Sequence, residues 1–482
     1  MRESAASFRD PAGACWVKGG RVLRIAKGAS TPDFEGFLGQ AAAQSFLERR
    51  QLVSTRRLTS SDLESLAAAP GWNEFSKAAQ GGSVFEHEHI RFTSYPYEWP
   101  PEMLWEAGRL TLDLALAALQ SGYELKDATP CNILYRGSEP VFVDIASFVL
   151  RRPDDPVWRA YGQFVRTFLL PLLANRRWGV PLADIYPAHR DGLEPEQVYR
   201  WCSVFERFSA QVFSLVSIPT WLRGKARASG QKLYEERSTG NPEKAQFIVE
   251  SLIKQLQRSL KRLEPQPGKN SAWSNYMATH SYSEPAFAAK RAFVEDALAR
   301  HKPARVLDVG ANTGTFSIMA ASAGAEVVAI DVDAACMGAL WRQAGAKSLN
   351  ILPLVVDLSR PSPALGWRNL ECASFLDRAA GGFDCVLMLA VLHHFLVTER
   401  IPLDEVLRLA SELSTSLAII EFVAPDDEMF RHLTRGRGHL HEGLNQEAFE
   451  KACVPYYEIM TSLALPGTKR RLYMLKKGTS SR

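Results

Sequence analysis

From Arg305 to Val423 the chain alternates short apolar runs with helical periodicity, and that rhythm admits few architectures. The runs are Arg305–Val309, Glu326–Asp331, Leu349–Val356, Phe383–Leu389 and Leu417–Val423. Each has strand length, and the spans between them carry apolar residues at helical spacing. Alternation of this kind predicts a doubly wound, mostly parallel sheet with helices on both faces. An amphipathic helix is expected just before it, over Glu284–Arg300. After it, Tyr457–Leu463 and Arg471–Leu475 flank Pro466-Gly467 and predict an antiparallel hairpin at the sheet edge.

The first run leads into a glycine turn, Val306-Leu-Asp-Val-Gly-Ala-Asn-Thr-Gly-Thr-Phe316. Gly310 and Gly314 lack the Cβ that would keep a ligand away from the backbone. Asp308 at the strand end suits a charged amino group, and Asp331, ending the second strand, suits a ribose diol. Asp357, after the third, can accept from an adenine amino group. Three strand-end acids in succession predict a nucleoside in the crevice at the carboxyl edge of the sheet. The turn is not the G-x-G-x-x-G that presents amides to a pyrophosphate.

These residues resemble motif I of class I S-adenosylmethionine-dependent methyltransferases, which have a Rossmann-like fold. Phe383-Asp-Cys-Val-Leu-Met-Leu-Ala-Val-Leu-His-His-Phe395 is similar to that family's fourth-strand motif. The resemblance spans roughly Pro303 to Lys477. It implies cofactor contacts from Asp308, Gly310, Asn312, Gly314, Asp331, Asp357, Leu389 and Tyr276. It also implies a lid from the preceding aromatics Trp273, Tyr276 and Tyr282, or else a seal at the domain junction. His393 and His394 stand where an acceptor would approach. Either is a candidate base, needed if the nucleophile carries a proton of high pKa, and the alternative is packing against the cofactor. Glu421 either faces substrate or meets solvent at its strand end.

The N-terminal half carries a second pattern. Glu124-Leu-Lys-Asp-Ala-Thr-Pro-Cys-Asn-Ile-Leu-Tyr135 places Asn132 five residues after Asp127, and Pro140-Val-Phe-Val-Asp144 is an apolar strand ending in an acid. This is similar to the catalytic loop and metal-binding aspartate of kinases. The resemblance implies that Asp127 serves as acid/base, that Asn132 and Asp144 hold metal, and that an active unit would bind Mg-ATP. The strands Arg21–Ile25 and Val84–Ile90 and the helix Pro101–Gln120 follow the same order. However, Arg24 stands where a lysine is usual and Gly19-Gly20 is a poor phosphate loop, so the unit is expected to be degenerate. Leu-Lys-Asp-Ala-Thr-Pro-Cys-Asn and Ser94-Tyr-Pro-Tyr-Glu-Trp99 before a methyltransferase domain resemble a bacterial nodulation-protein-like (NoeA-like) group. So does Ile419-Ile-Glu-Phe-Val-Ala-Pro-Asp-Asp427.

The polar Glu264-Pro-Gln-Pro-Gly-Lys-Asn-Ser271 marks a boundary after a helix expected over Pro242–Arg262. The expected organisation is an α+β, kinase-like recognition domain over 1–263, a linker over 264–274 and the methyltransferase domain over 275–482. Seven dispersed cysteines argue against a disulfide framework or a zinc site, and no leader-like or membrane-spanning run is evident. A cytoplasmic protein is expected. The expected acceptor is a small molecule or conjugate. An RNA-modifying enzyme rests on Arg435, Arg437, Lys469-Arg-Arg471 and Lys476-Lys477, against a formal net charge of only +4. A bifunctional kinase–methyltransferase and a non-catalytic cofactor sensor are the remaining classes.

Overall fold

The computed structural model describes residues 2–3, 7, 13–28, 30–67, 71–229, 238–266, 282–434, 441 and 443–478. Two compact units emerge: Met1–Gln266 with Leu365–Cys372, and Pro267–Ala364 with Ala373–Arg482.

The first unit opens with a five-stranded antiparallel sheet. Its strands are β1 (Arg2–Glu3), β2 (Gly13–Lys18), β3 (Arg21–Ala26), β4 (Thr55–Arg57) and β5 (Ser83–His87), in the order β1-β2-β3-β5-β4. The third strand is buried from Leu23 to Ala26, arginine included. The helix Pro101–Gln120 begins with proline at its first turn, where the missing amide costs nothing. Two short antiparallel pairs follow: β6 (Tyr123–Leu125) with β9 (Phe148–Leu150), and between them in the chain the hairpin of β7 (Ile133–Arg136) with β8 (Glu139–Phe142). The aromatic-rich segment after Val157 is largely helical, with Trp158, Phe164 and Phe168 in the core. The helix Pro242–Lys261 packs on Pro101–Gln120 and belongs to this unit: Leu260 O accepts from Trp105 Nε1 at 2.9 Å.

The second unit holds a seven-stranded sheet. Its strands are β10 (Arg305–Val309), β11 (Glu326–Asp331), β12 (Ile351–Val355), β13 (Phe383–Met388), β14 (Ser414–Val423), β15 (Tyr457–Ala464) and β16 (Arg470–Lys477). They lie in the order β12-β11-β10-β13-β14-β16-β15. The first five pair in parallel, and β16 runs antiparallel to both β14 and β15. Chain order therefore reverses beside β10, the position at which such sheets open a crevice. The helix Glu284–His301 is started by Ser283, whose side chain accepts from the Ala286 amide, and ended by Lys302 in left-handed backbone.

Glu421 departs from both expectations for it. It is 0% exposed, and its carboxylate accepts from Lys290 Nζ at 2.6 Å and from the Tyr282 hydroxyl at 2.5 Å. Arg470 donates to the same tyrosine oxygen at 2.5 Å and to Asp427 at 3.0 and 3.2 Å. Two cations and two carboxylates thus close a buried circuit among helix Glu284–His301, β14, the loop after it and β16. Glu421→Ala leaves Lys290 buried without its carboxylate partner. The expected loss is about 3–5 kcal/mol of unfolding free energy, measured by denaturant titration; a loss below about 1 kcal/mol would show the circuit to be dispensable.

Candidate functional site

At the carboxyl ends of β10 to β13 lies a cavity of about 290 Å³. Its wall contains Gly310, Asn312, Asp331, Asp357, Leu389, His393 and His394 from the sequence-derived set.

The turn after β10 owes its shape to its neighbour. Gly310 and Ala311 amides both donate to the Ile330 carbonyl, and the Asn312 amide donates to Asp331 Oδ2 at 2.8 Å. The other oxygen of Asp331 accepts from the Asp333 amide at 3.0 Å. Gly310 (φ +70°), Asn312 (φ +50°) and Gly314 (φ +84°) all take left-handed backbone, open to glycine and tolerated by asparagine. A Cβ on Gly310 would come within 3.1 Å of Val391 on the opposite wall. Asp357 braces its own loop, accepting from the Ser359 amide and hydroxyl.

Asp308 and Gly314 are not on the cavity wall. Asp308 is buried, and its carboxylate accepts from Ser317 Oγ at 2.6 Å. Gly314 underlies the first turn of the helix Thr315–Ser322, backed by Leu340. Tyr276 and Trp273 lie outside the described residues, as do Arg435 and Arg437. Tyr282 belongs to the buried circuit described above.

The two histidines behave differently. His393 is 2% exposed, and its Nδ1 has no hydrogen-bond partner. Burial, then the proximity of His394, Arg470 and Lys290, holds it well below the ordinary histidine range. It is therefore a neutral imidazole at neutral pH. His394 is partly buried, with its ring centroid 4.4 Å from that of His393, and burial lowers it too.

Sequence reasoning passed over part of the wall. Ala390 (φ +57°) bends the chain after β13 in backbone that alanine rarely adopts, a strain typical of functional sites. Thr398 closes a π-turn, His394–Thr398, and Met429 comes from the helix Glu428–Thr434. Neither short element has the periodic length that reveals a helix in sequence. The Pro-Asp-Asp run before Met429 was the available signal, because Asp427 accepts from the Met429 amide at 2.9 Å.

In the first unit Asp144, Asn132 and Arg24 come together. Arg24 Nη1 is 3.2 Å from Asp144 Oδ1, and Ser147 donates to Oδ2. Asn132 Nδ2 lies 3.5 Å from both Ser147 Oγ and the Asp127 carbonyl. Beside them, His87 is buried and accepts or donates at 2.9 Å to Thr55; burial and then Arg24 pull its pKa down to about 4. No group of three or more potential metal-ligating side chains occurs among the described residues, and no described helix is long and apolar enough to cross a membrane.

The basic C-terminal residues are mostly used within the fold. Arg470 is 3% exposed, Arg471 donates to Ser462, Lys469 pairs with Asp426, and Lys477 donates to the Ser411 and Ser414 carbonyls.

A family model described as a methyltransferase domain matches residues 281–453. The nodulation protein NoeA of Rhizobium meliloti (strain 1021) is 31% identical over 477 residues, covering 98% of this chain and 96% of its own. Among solved structures, the N-methyltransferase NodS from Bradyrhizobium japonicum WM9 is similar over 41% of this chain and 99% of its own, at 14% identity and a TM-score of 0.30. The bifunctional kinase-methyltransferase WbdD is similar over 42% of this chain and 41% of its own, at 21% identity and a TM-score of 0.29.

Burial, reinforced by nearby Asp331, pushes the Asp308 carboxyl up to about 6, with Ser317 and Lys290 pulling the other way. Unfolded, it titrates near ~3.9. The folded chain thus holds this proton more tightly, so the associated stability is complete below pH ~4 and disappears as pH rises through ~6. Unfolding free energies of the wild type should fall by on the order of 3 kcal/mol relative to Asp308→Asn between pH 4 and pH 7. Parallel pH profiles would contradict the assignment.

Proposed function

Because this chain belongs to the family of the nodulation protein NoeA, we propose that it transfers a methyl group from S-adenosylmethionine to a small-molecule or conjugate acceptor recognised with the help of its N-terminal unit. The observation that carries this reading is the cavity whose wall carries Asp331 and Asp357, at the carboxyl ends of the neighbouring strands β11 and β12, beside a left-handed turn.

The residues present suit that cofactor. Gly310 leaves open the space a side chain would fill, and the Asp331 and Asp357 carboxylates retain lone pairs for ribose hydroxyls and an adenine amino group. Asn312 and Leu389 complete the wall on either side. Asp308 acts from behind it, by way of Ser317 and the turn. When bound, S-adenosylmethionine supplies a methyl group on a positive sulfur that leaves readily. The chain's own task is to align the acceptor and keep water out. His393 lines the cavity as a neutral imidazole with Nδ1 unpartnered. Burial and the nearby cations oppose its charged form, so its suited part is to accept a hydrogen bond that orients an acceptor hydroxyl rather than to keep the proton.

The N-terminal unit is read as a recognition module without phosphotransfer. Arg24 and Ser147 engage both oxygens of Asp144, the acid that an active kinase gives to magnesium. The RNA reading loses its C-terminal support, since Arg470, Arg471 and Lys477 serve internal contacts.

Two outcomes test this. Calorimetric titration should show Asp331→Ala weakening S-adenosylmethionine binding by about 1–3 kcal/mol; an unchanged dissociation constant would remove the ribose assignment. Asp144→Ala should leave formation of S-adenosylhomocysteine unchanged, with no magnesium-dependent ATP turnover in the wild type. Measurable phosphate transfer abolished by that substitution would restore the bifunctional alternative.

A further inference from the structure

A second cavity, of about 800 Å³, adjoins the first within the same unit. The two share Thr398, and both draw walls from the segment around the π-turn His394–Thr398 and from the helix Glu428–Thr434. Met429 faces the cofactor cavity, and His432 and Leu433, one turn on, face the larger one. Its volume lies within the range of small-molecule sites.

The lining has a definite chemistry. Leu396, Ile401, Leu403 and Leu444 make much of it apolar, and among the described residues its ionisable groups are Arg400, His432 and His441. No aspartate or glutamate lines it among the described residues. Glu399, which directly precedes Arg400, sits on the wall of the other cavity and pairs with Arg360 at 2.5 Å.

Arg400 is presented by strained backbone. Its φ is +57°, a left-handed conformation that non-glycine residues adopt only at a cost. The residues on either side are pinned: the Glu399 amide donates to the His394 carbonyl at 3.1 Å and the Ile401 amide to the Phe395 carbonyl at 2.9 Å. The strain is therefore held by the same turn that divides the two cavities, and Arg400, exposed at that turn, lines the larger one.

We propose that this cavity is the acceptor site and that it takes an amphipathic anion, with an apolar body against the leucines and a phosphate, sulfate or carboxylate on Arg400. The acceptor role rests on the methyl-transfer reading; binding of the anion does not. A guanidinium matches such groups with paired, charge-assisted hydrogen bonds. Transfer would then run past Thr398, with the reacting atom at the cofactor end and the anionic group on Arg400.

The test is calorimetry on the full chain with octyl phosphate, octyltrimethylammonium and inorganic phosphate, each with and without S-adenosylhomocysteine. Octyl phosphate should bind at least about tenfold more tightly than the other two, and S-adenosylhomocysteine should not displace it. Arg400→Gly removes the guanidinium while relieving the left-handed strain, so the fold should persist. It should weaken octyl phosphate by about 10- to 100-fold, the scale of a charge-assisted hydrogen bond, with S-adenosylhomocysteine binding unchanged; Arg400→Lys should recover part of the loss. Equal binding of the cationic amphiphile, or octyl phosphate affinity indifferent to Arg400→Gly, would overturn the proposal. Octyl phosphate binding without any uptake of S-adenosylhomocysteine would keep the anion site and instead remove the methyl-transfer reading.

Discussion

Asp331 holds the turn that follows β10. One oxygen takes the Asn312 amide, the other the Asp333 amide, and the Ile330 carbonyl just before it takes two more amides from Gly310 and Ala311. Parallel pairing of β10 with β11 sets these groups side by side. The crevice then follows from topology, because β13 pairs on the other side of β10 and its own exit bends sharply at Ala390. A side chain that could contact a ribose is thus already part of the scaffold. Its removal perturbs both ligand and turn, which is why calorimetry on that variant belongs beside a stability measurement.

Beneath the crevice, charge is handled by burial and pairing. Lys290, Glu421, Arg470 and Asp427 balance one another around the Tyr282 hydroxyl, away from water. Such pairs are costly to desolvate and costly to break, so they are weak sources of net stability and strong constraints on geometry. Their positive members bear on the cavity: Arg470 and Lys290 both help keep His393 neutral. Burial is the main reason this imidazole is neutral, and the cations of the circuit reinforce it.

Much of the C-terminal architecture was legible in the sequence because its signals are local. Strands β10, β11 and β13 begin at the residues that alternation indicates, and the hairpin of β15 and β16 follows from Pro466-Gly467. The strand-end acids were readable for the same reason. What escaped were contacts joining distant segments. Nothing near Glu421 in sequence announces Lys290, and nothing near Asp144 announces the Arg24 ion pair. Asp308 reads as a ligand-facing acid, yet Ser317 one turn into the next helix turns it inward. Ala390 and Arg400 adopt left-handed backbone that only tertiary packing enforces, and propensity reasoning has no access to it.

The central claim is that a sulfonium nucleoside occupies the crevice bounded by Asp331, Asp357 and His393. Titration of the intact chain with S-adenosylhomocysteine, followed by calorimetry, measures this most directly. One equivalent should bind, with a negative heat-capacity change from burial of the adenosyl group. A folded chain that gives no binding heat across a range of temperatures would contradict the account.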